Sequence, residues 1–202
     1  LGLVEQHLYD EVAEAIRSRH FDKAIERSRL LAKLDDGRSL SNLLLLHHAQ
    51  LKGIPEGELL LNFIVDRLPA NVDLHSIAVA LHEVANPLAG RVYERALERT
   101  PKDADILGGF ASFLHTVRKD FAASEVYYRK ALDVARRDVD GLETYSGRFL
   151  AASNHARNLG NFANFLFRVR KDVDGAEEYY RKALDVNPNG AACLGNFATF
   201  LW

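Results

Sequence analysis

The chain carries eight histidines among 202 residues, and the first chemistry to consider is metal binding. His82, Glu83 and Asn86 follow the H-E-x-x-H spacing that sets two imidazoles on one helix face around zinc, but Asn86 stands where the second imidazole is needed. His47 and His48 are adjacent, so on a helix they diverge by about 100° and chelate poorly. His75 and His82 share a helix face, but histidines scattered along helices commonly serve as polar surface or half-buried packing. No metal and no cofactor is expected. The chain also has no phosphate loop, no G-x-S-x-G elbow and no glycine-rich turn after a strand. Cys193, the single cysteine, has no sequence partner that would activate its thiol and is expected to pack as a small apolar residue. Glu177 and Glu178 read as a solvated or capping face. The expectation is that the protein is not an enzyme.

Side chains suited to binding are easier to find. Asn161 and Asn196 occupy one position in two copies of a repeated segment, and Asn164 is matched by Ser112. An amide both donates and accepts, so a row of amides can hold an extended peptide backbone without demanding one sequence. Asn161, Phe165 and Arg168 fall at i, i+4 and i+7, which predicts a face separate from the Leu159, Phe162 and Leu166 stripe. The expected peptide groove is therefore Asn161, Asn164, Phe165, Arg168 and Asn196. The segments Val117 to Asp120 and Val169 to Asp172 have a structural reading: basic residues complement a helix C-terminus and the aspartate starts the next helix. The pairs Tyr127-Tyr128 and Tyr179-Tyr180 are expected to pack and to form a rim.

The elements that must position these residues come from duplication. Residues 107–134, LGGFASFLHTVRKDFAASEVYYRKALDV, align with 159–186, LGNFANFLFRVRKDVDGAEEYYRKALDV, with 19 identities in 28 positions. A third copy opens at Leu194 as LGNFATFLW, 35 residues after its predecessor. Val92 to Leu97, VYERAL, lies 35 residues before YYRKAL at Tyr127 to Leu132. Within a unit, Leu159, Phe162, Leu166 and Val169 recur at helical steps, and Ala176, Tyr180, Ala183 and Leu184 do so again. Asp174 with Glu177 is a candidate capping box, and Asn187 to Gly190 turn the chain. Each unit is a helix hairpin.

The first half shows the same punctuation with less identity. His20 to Leu34 reads as a second helix, and Pro55, Pro69, Pro87 and Pro101 each mark one helix plus a loop. The spacing predicts about 12 helices: 3–19, 21–34, 38–51, 56–68, 72–84, 88–99, 104–118, 121–136, 142–153, 157–170, 173–186 and 190–202. The expected fold is all-α, an α-solenoid of stacked antiparallel hairpins in one domain over 1–202. It comprises degenerate hairpins at 1–70, regular ones at 71–134, an inserted helix or irregular segment at 135–158, and a hairpin plus an unpaired first helix at 159–202. The insertion follows because the two best copies are 52 rather than 35 residues apart, leaving 17 residues, about one helix with its loop. Leu142 to Ser153 is expected to form that helix or to lengthen a neighbour.

Composition bounds the rest. The chain is 48% hydrophobic and 27% charged with a formal net charge of −2, which excludes disorder and gives no reason to expect a polyanion partner. Its apolar runs are far shorter than the roughly 20 residues that span a bilayer, so no membrane association is expected. One cysteine and no visible secretory leader point to a reducing, cytoplasmic location.

Ala176, Tyr180, Ala183 and Pro188 match the second-helix pattern of tetratricopeptide repeats. Tyr128 and Ala131 keep part of it, with Ser124 in place of the first alanine. The chain resembles that family over roughly residues 88 to 202, with a longer first helix than the family's. The resemblance implies a non-catalytic protein-interaction scaffold that binds a peptide or protein segment on the concave face lined by first helices. Residues 89–101, AGRVYERALERTP, are also similar to the half-a-TPR variant of RNA-processing scaffolds, which implies an alternative role of that kind, although a basic stripe would be needed and nucleic acid is not expected. A third reading is the sensor or assembly arm of a larger enzyme. The apolar stretch ending at Trp202 has no polar cap, so a continuing chain or self-association through the C-terminal helix is expected.

Overall fold

The computed structural model describes residues 2–34, 38–68, 72–141 and 145–202. Among them are eleven α-helices and no strand: α1 (Leu3–Arg17), α2 (Phe21–Leu34), α3 (Arg38–Leu51), α4 (Pro55–Asp66), α5 (Leu74–Glu83), α6 (Leu88–Arg99), α7 (Ala104–Phe113), α8 (Phe121–Gly141), α9 (Tyr145–Phe165), α10 (Val173–Val186) and α11 (Ala191–Leu201). Their starts are set by local chemistry. Pro55, whose missing N–H costs nothing at a helix start, opens α4. Asp73, Asp103 and Asp172 accept hydrogen bonds from backbone N–H groups in the first turns of α5, α7 and α10. The cap of α10 is thus Asp172, with Asp174 inside the first turn, so the capping box expected at Asp174 and Glu177 gives way to a cap two residues earlier.

The expected helices at 142–153 and 157–170 are one. Residues 142–144 lie outside the described residues, but from Tyr145 the chain is helical without a break through Phe165. No glycine or proline stands between Ser153 and Arg157 to stop it. The neighbour α8 also runs on to Gly141, so α8 and α9 have 21 residues each against 14 in α10. The 17 additional residues are largely spent on lengthening a helix pair.

Two helices end in a way the periodicity does not reveal. After α7 and after α9 the chain makes one π-helical turn, Leu114–Arg118 and Leu166–Arg170. Each closes on a lysine in the left-handed region, Lys119 and Lys171, both at φ 60° and ψ 23°. Asp120 N and Asp172 N then donate to Leu114 O and Leu166 O at 2.9 and 3.1 Å, satisfying carbonyls that a helix end leaves orphaned.

The residues form two compact units, Leu1–Val92 and Tyr93–Trp202. In the first, α1 packs on α2 and α3 on α4, burying Val12, Ile16, Ala24, Leu31, Leu43, Leu44, Leu60 and Ile64. Arg91 pairs with Asp66 and donates to Asn62 Oδ1 at 3.1 Å, and Asn86 donates to Glu58, tying α4 to the start of α6. In the second, α7 packs on α8, α8 on α9, α9 on α10 and α10 on α11. Its core is organised by rings. Tyr93 lies against Phe110 and Phe113, Tyr128 against Phe162 and Phe165, and Tyr180 against Phe197 and Phe200, with centroids 5.2 to 6.1 Å apart. A tyrosine of one hairpin's second helix thus packs against a Phe-x-x-Phe pair of the following first helix, three times over.

Candidate binding face

Helix α9 is enclosed by α7, α8, α10 and α11. Leu159, Phe162, Ala163, Phe165 and Leu166 are all buried, and the residues that escape burial from Arg157 to Arg168 are Arg157, Asn161, Asn164, Phe167 and Arg168, the four polar ones forming a line. These fall at i, i+4, i+7 and i+11, one helical face. Phe165, expected beside Asn161 and Arg168, is not on it. It is 0% exposed, with Phe162 stacked on it at 6.1 Å and the edge of His115 at 5.8 Å. The i+4 step from Asn161 turns Phe165 into the seam against Tyr128, and the i+3 step puts Asn164 on the open face instead. Arg157, which sequence reasoning did not select, takes the remaining place, and its i−4 spacing from Asn161 is the signal that could have found it.

The same line continues on the flanking first helices. The positions on α7 and its π-helical turn equivalent to Arg157, Asn161, Asn164 and Arg168 are Asp105, Gly109, Ser112 and Thr116, and α11 offers Ala192, Asn196 and Thr199. Arg157 pairs with Asp105, and Asn154 Nδ2 donates to the same carboxylate at 2.8 Å, so α9 is fastened to α7 along this face. Beneath it, Asn158 is buried and donates to Ala104 O at 3.2 Å. Its side chain fills the space a Cβ on Gly108 would need.

These polar groups divide by engagement. Asn164 Oδ1 accepts the hydroxyl of buried Tyr180 at 2.8 Å, giving that phenol the partner it needs inside the core. In the preceding copy the Tyr128 hydroxyl lies 3.2 Å from His115 Nδ1 and is hydrogen-bonded by Ser112. Burial pushes the pKa of both tyrosines up. Arg168 lies near enough for its charge to oppose that shift at Tyr180. Arg170 is committed to Glu125, 2.7 Å away, and Arg129 holds the other oxygen of the same carboxyl at 2.8 Å. Arg129 first and Arg170 second keep the Glu125 carboxyl below its ordinary range. Asn161, Asn196 and Arg168, by contrast, have no hydrogen-bond or ion-pair partner among the described residues. Asn161 and Asn196 are half-buried and Arg168 is exposed.

A cleft of about 630 Å³ opens where α8 and α9 run past the length of the other hairpins, lined among others by Lys102, Asp105, Arg137, Leu150 and Asn154. Asp105 belongs both to this cleft and to the polar line, so the two are continuous. Spacing could not show it, because it is formed by the lengthened ends rather than by the repeated core. Among the described residues there is no cluster of three or more histidine, cysteine, aspartate or glutamate side chains able to hold a metal ion, and no helix is long and apolar enough to cross a membrane. His82 and Asn86 do not form a ligand pair: burial lowers the His82 pKa, and Asn86 is buried with its amide on Glu58 and its oxygen accepting from Leu88 N. Burial raises the pKa of Cys193, which favours the protonated thiol.

Paired helices and recurrent inter-hairpin contacts define an all-α helical-repeat protein. Residues 170–189, from the end of the π-helical turn through α10 to the following turn, match the family model of the tetratricopeptide repeat. No curated protein matches the chain.

Proposed function

We propose that this protein is a non-catalytic interaction scaffold whose second unit binds an extended peptide or protein segment across α7, α9 and α11. The observation that carries the proposal is the division just described: on one face, Asn164 and Arg157 are consumed by the fold while Asn161, Asn196 and Arg168 are left with unmet hydrogen-bonding capacity. Two amides one repeat apart offer donors and acceptors to an extended backbone. Arg168, exposed and without a carboxylate, supplies a positive end, and the cleft beside Asp105 supplies room at the other. The segment that fits is extended and carries an acidic side chain or carboxylate opposite Arg168.

Peptides selected from a random display library on the whole chain, then measured by isothermal titration, test this reading. Asn161→Ala combined with Arg168→Ala should weaken binding about tenfold or more, in line with losing one charge-assisted and one neutral hydrogen bond. Both positions lie outside the core, so the thermal midpoint should hold. Selected peptides whose affinity is unchanged by the double substitution would place binding elsewhere.

A further inference from the structure

The cleft of about 630 Å³ beside Asp105 falls within the size range of ligand pockets. Three segments wall it: the turn before α7, the last turns of α8 and the first turns of α9. Five charged side chains are among its described lining, and three of them are committed to the fold. Asp103 caps α7, its Oδ1 accepting from Asp105 N and Ile106 N at 2.9 and 3.0 Å. Asp105 takes Arg157 and Asn154, and Arg137 is paired with Asp133. Lys102, on the turn, and Asp138, on α8, are exposed and have no hydrogen-bond or ion-pair partner among the described residues. Asn154 spends its amide N–H on Asp105 and keeps its Oδ1 as an acceptor. The same lining includes Leu150, an apolar side chain left 63% exposed.

The uncommitted groups are thus one anion, one cation, one amide oxygen and one apolar side chain, and together they narrow the ligand. A lone basic side chain would suit Asp138 and be opposed by Lys102, and a lone acidic one would meet the reverse. The first residue of a polypeptide carries both polarities within a few atoms. Its α-ammonium has donors for Asp138 and Asn154 Oδ1, and its carbonyl accepts from Lys102. Its side chain leaves the carbon between them and, if apolar, removes Leu150 from water.

We infer that the cleft receives the free amino terminus of the bound segment, with an apolar first side chain. The inference rests on the reading that a segment lies across α7, α9 and α11, and it gives that segment a direction: the amino end at the cleft and the acidic group at Arg168. Asp105, which lies both in the cleft and on the polar line, joins the two ends of the path.

The test uses the whole 202-residue chain and a random-peptide array synthesised with free amino termini, beside a duplicate capped by acetylation. The tightest binder from the free-amine array is then titrated in both forms at neutral pH, where an amino terminus with its ordinary pKa of about 8 is charged. Acetylation removes that charge and should weaken binding about tenfold or more. Asp138→Asn should erase most of the difference by weakening only the free-amine form. Lys102→Met should weaken both forms, because both keep the first carbonyl. Lys102 and Asp138 are exposed in the free chain, so these variants should melt like the parent. Asn161→Ala with Arg168→Ala, which probes the underlying reading, should weaken the two forms alike. An acetylated form that binds as tightly as the free amine, or a difference that Asp138→Asn leaves intact, overturns the inference. If the Asn161 and Arg168 substitutions still weaken binding in that case, the polar line stands and only the occupant of the cleft is wrong. Absence of any binder on either array overturns both.

Discussion

Asn158 and Gly108 show how single residues hold this molecule in register. The amide of Asn158 occupies the volume beside Gly108 and reaches the carbonyl of Ala104, so each residue is explained by the other. Gly108→Ala gains helix propensity of about 1 kcal/mol but drives a methyl into the amide, and chemical denaturation should report a net loss of about 1 to 3 kcal/mol. Adding Asn158→Ala to it should cost less than the sum of the two single changes, since the second removes what the first collides with. Strict additivity would refute the pairing. At this scale the sequence was partly legible. That Asn161, Asn164 and Asn196 escape full burial is readable because polar residues recur at one place in the repeat, and for Arg168 it follows from the i+7 step from Asn161. Phe165 was misread because a helix enclosed by four others buries nearly its whole circumference, whereas periodicity assumes one apolar stripe. That Asn164 answers the Tyr180 hydroxyl depends on a contact between helices, and no spacing within one helix reveals it.

Among the elements, the link between α8 and the π-helical turn after α9 is electrostatic and therefore sensitive to pH. Glu125 takes Arg129 on one oxygen and Arg170 on the other, and its carboxyl is held below the ordinary 4.5. A lowered folded value means that its contribution is complete above the unfolded value and fades as the pH falls through the folded one. In thermal melts across an acid series, Glu125→Gln should be less stable than the parent at neutral pH, and the gap should narrow below pH 4.5. A gap that stays constant into acid would show that the carboxylate contributes nothing through its charge. Helix boundaries were readable wherever an aspartate, proline or Asn-Pro-Asn-Gly turn interrupts the pattern. The fusion within α9 was not, because an expected length of one helix is a habit of repeats and not a property of those residues. The π-helical turns were also invisible: LHTVR and LFRVR carry no breaker, and the left-handed lysines that end them are not residue types favoured there.

For the whole molecule, repeat proteins draw stability from nearest-neighbour interfaces as much as from each hairpin itself. Helix α9 has neighbours on both sides and α11 has α9 and α10 on one. Amide hydrogen exchange should therefore run faster in α11 than in α9, despite nearly identical sequence from Leu159 to Leu166 and from Leu194 to Leu201. Equal protection would mean that the exposed face of α11 is covered in solution. The all-α repeat architecture was legible because duplication repeats its signals, and agreement between copies outweighs noise in any one of them. The division into units at Val92 and Tyr93 was not, since it falls inside α6, where no change of composition marks it.

The ring triads carry a consequence for the order in which the second unit is made. Tyr93 meets Phe110 and Tyr180 meets Phe197 across 17 residues of chain, but Tyr128 must find Phe162 across 34. For a flexible segment that doubling adds only about 0.6 kcal/mol of closure entropy, little enough for one finished interface to resemble the others. Because it is met in full before the contact repays it, the same cost slows this closure about threefold relative to the other two. The lengthened pair α8 and α9 thus makes the junction between them the contact expected to close last, so 17 extra residues, about one helix with its loop, bias the order in which the three form.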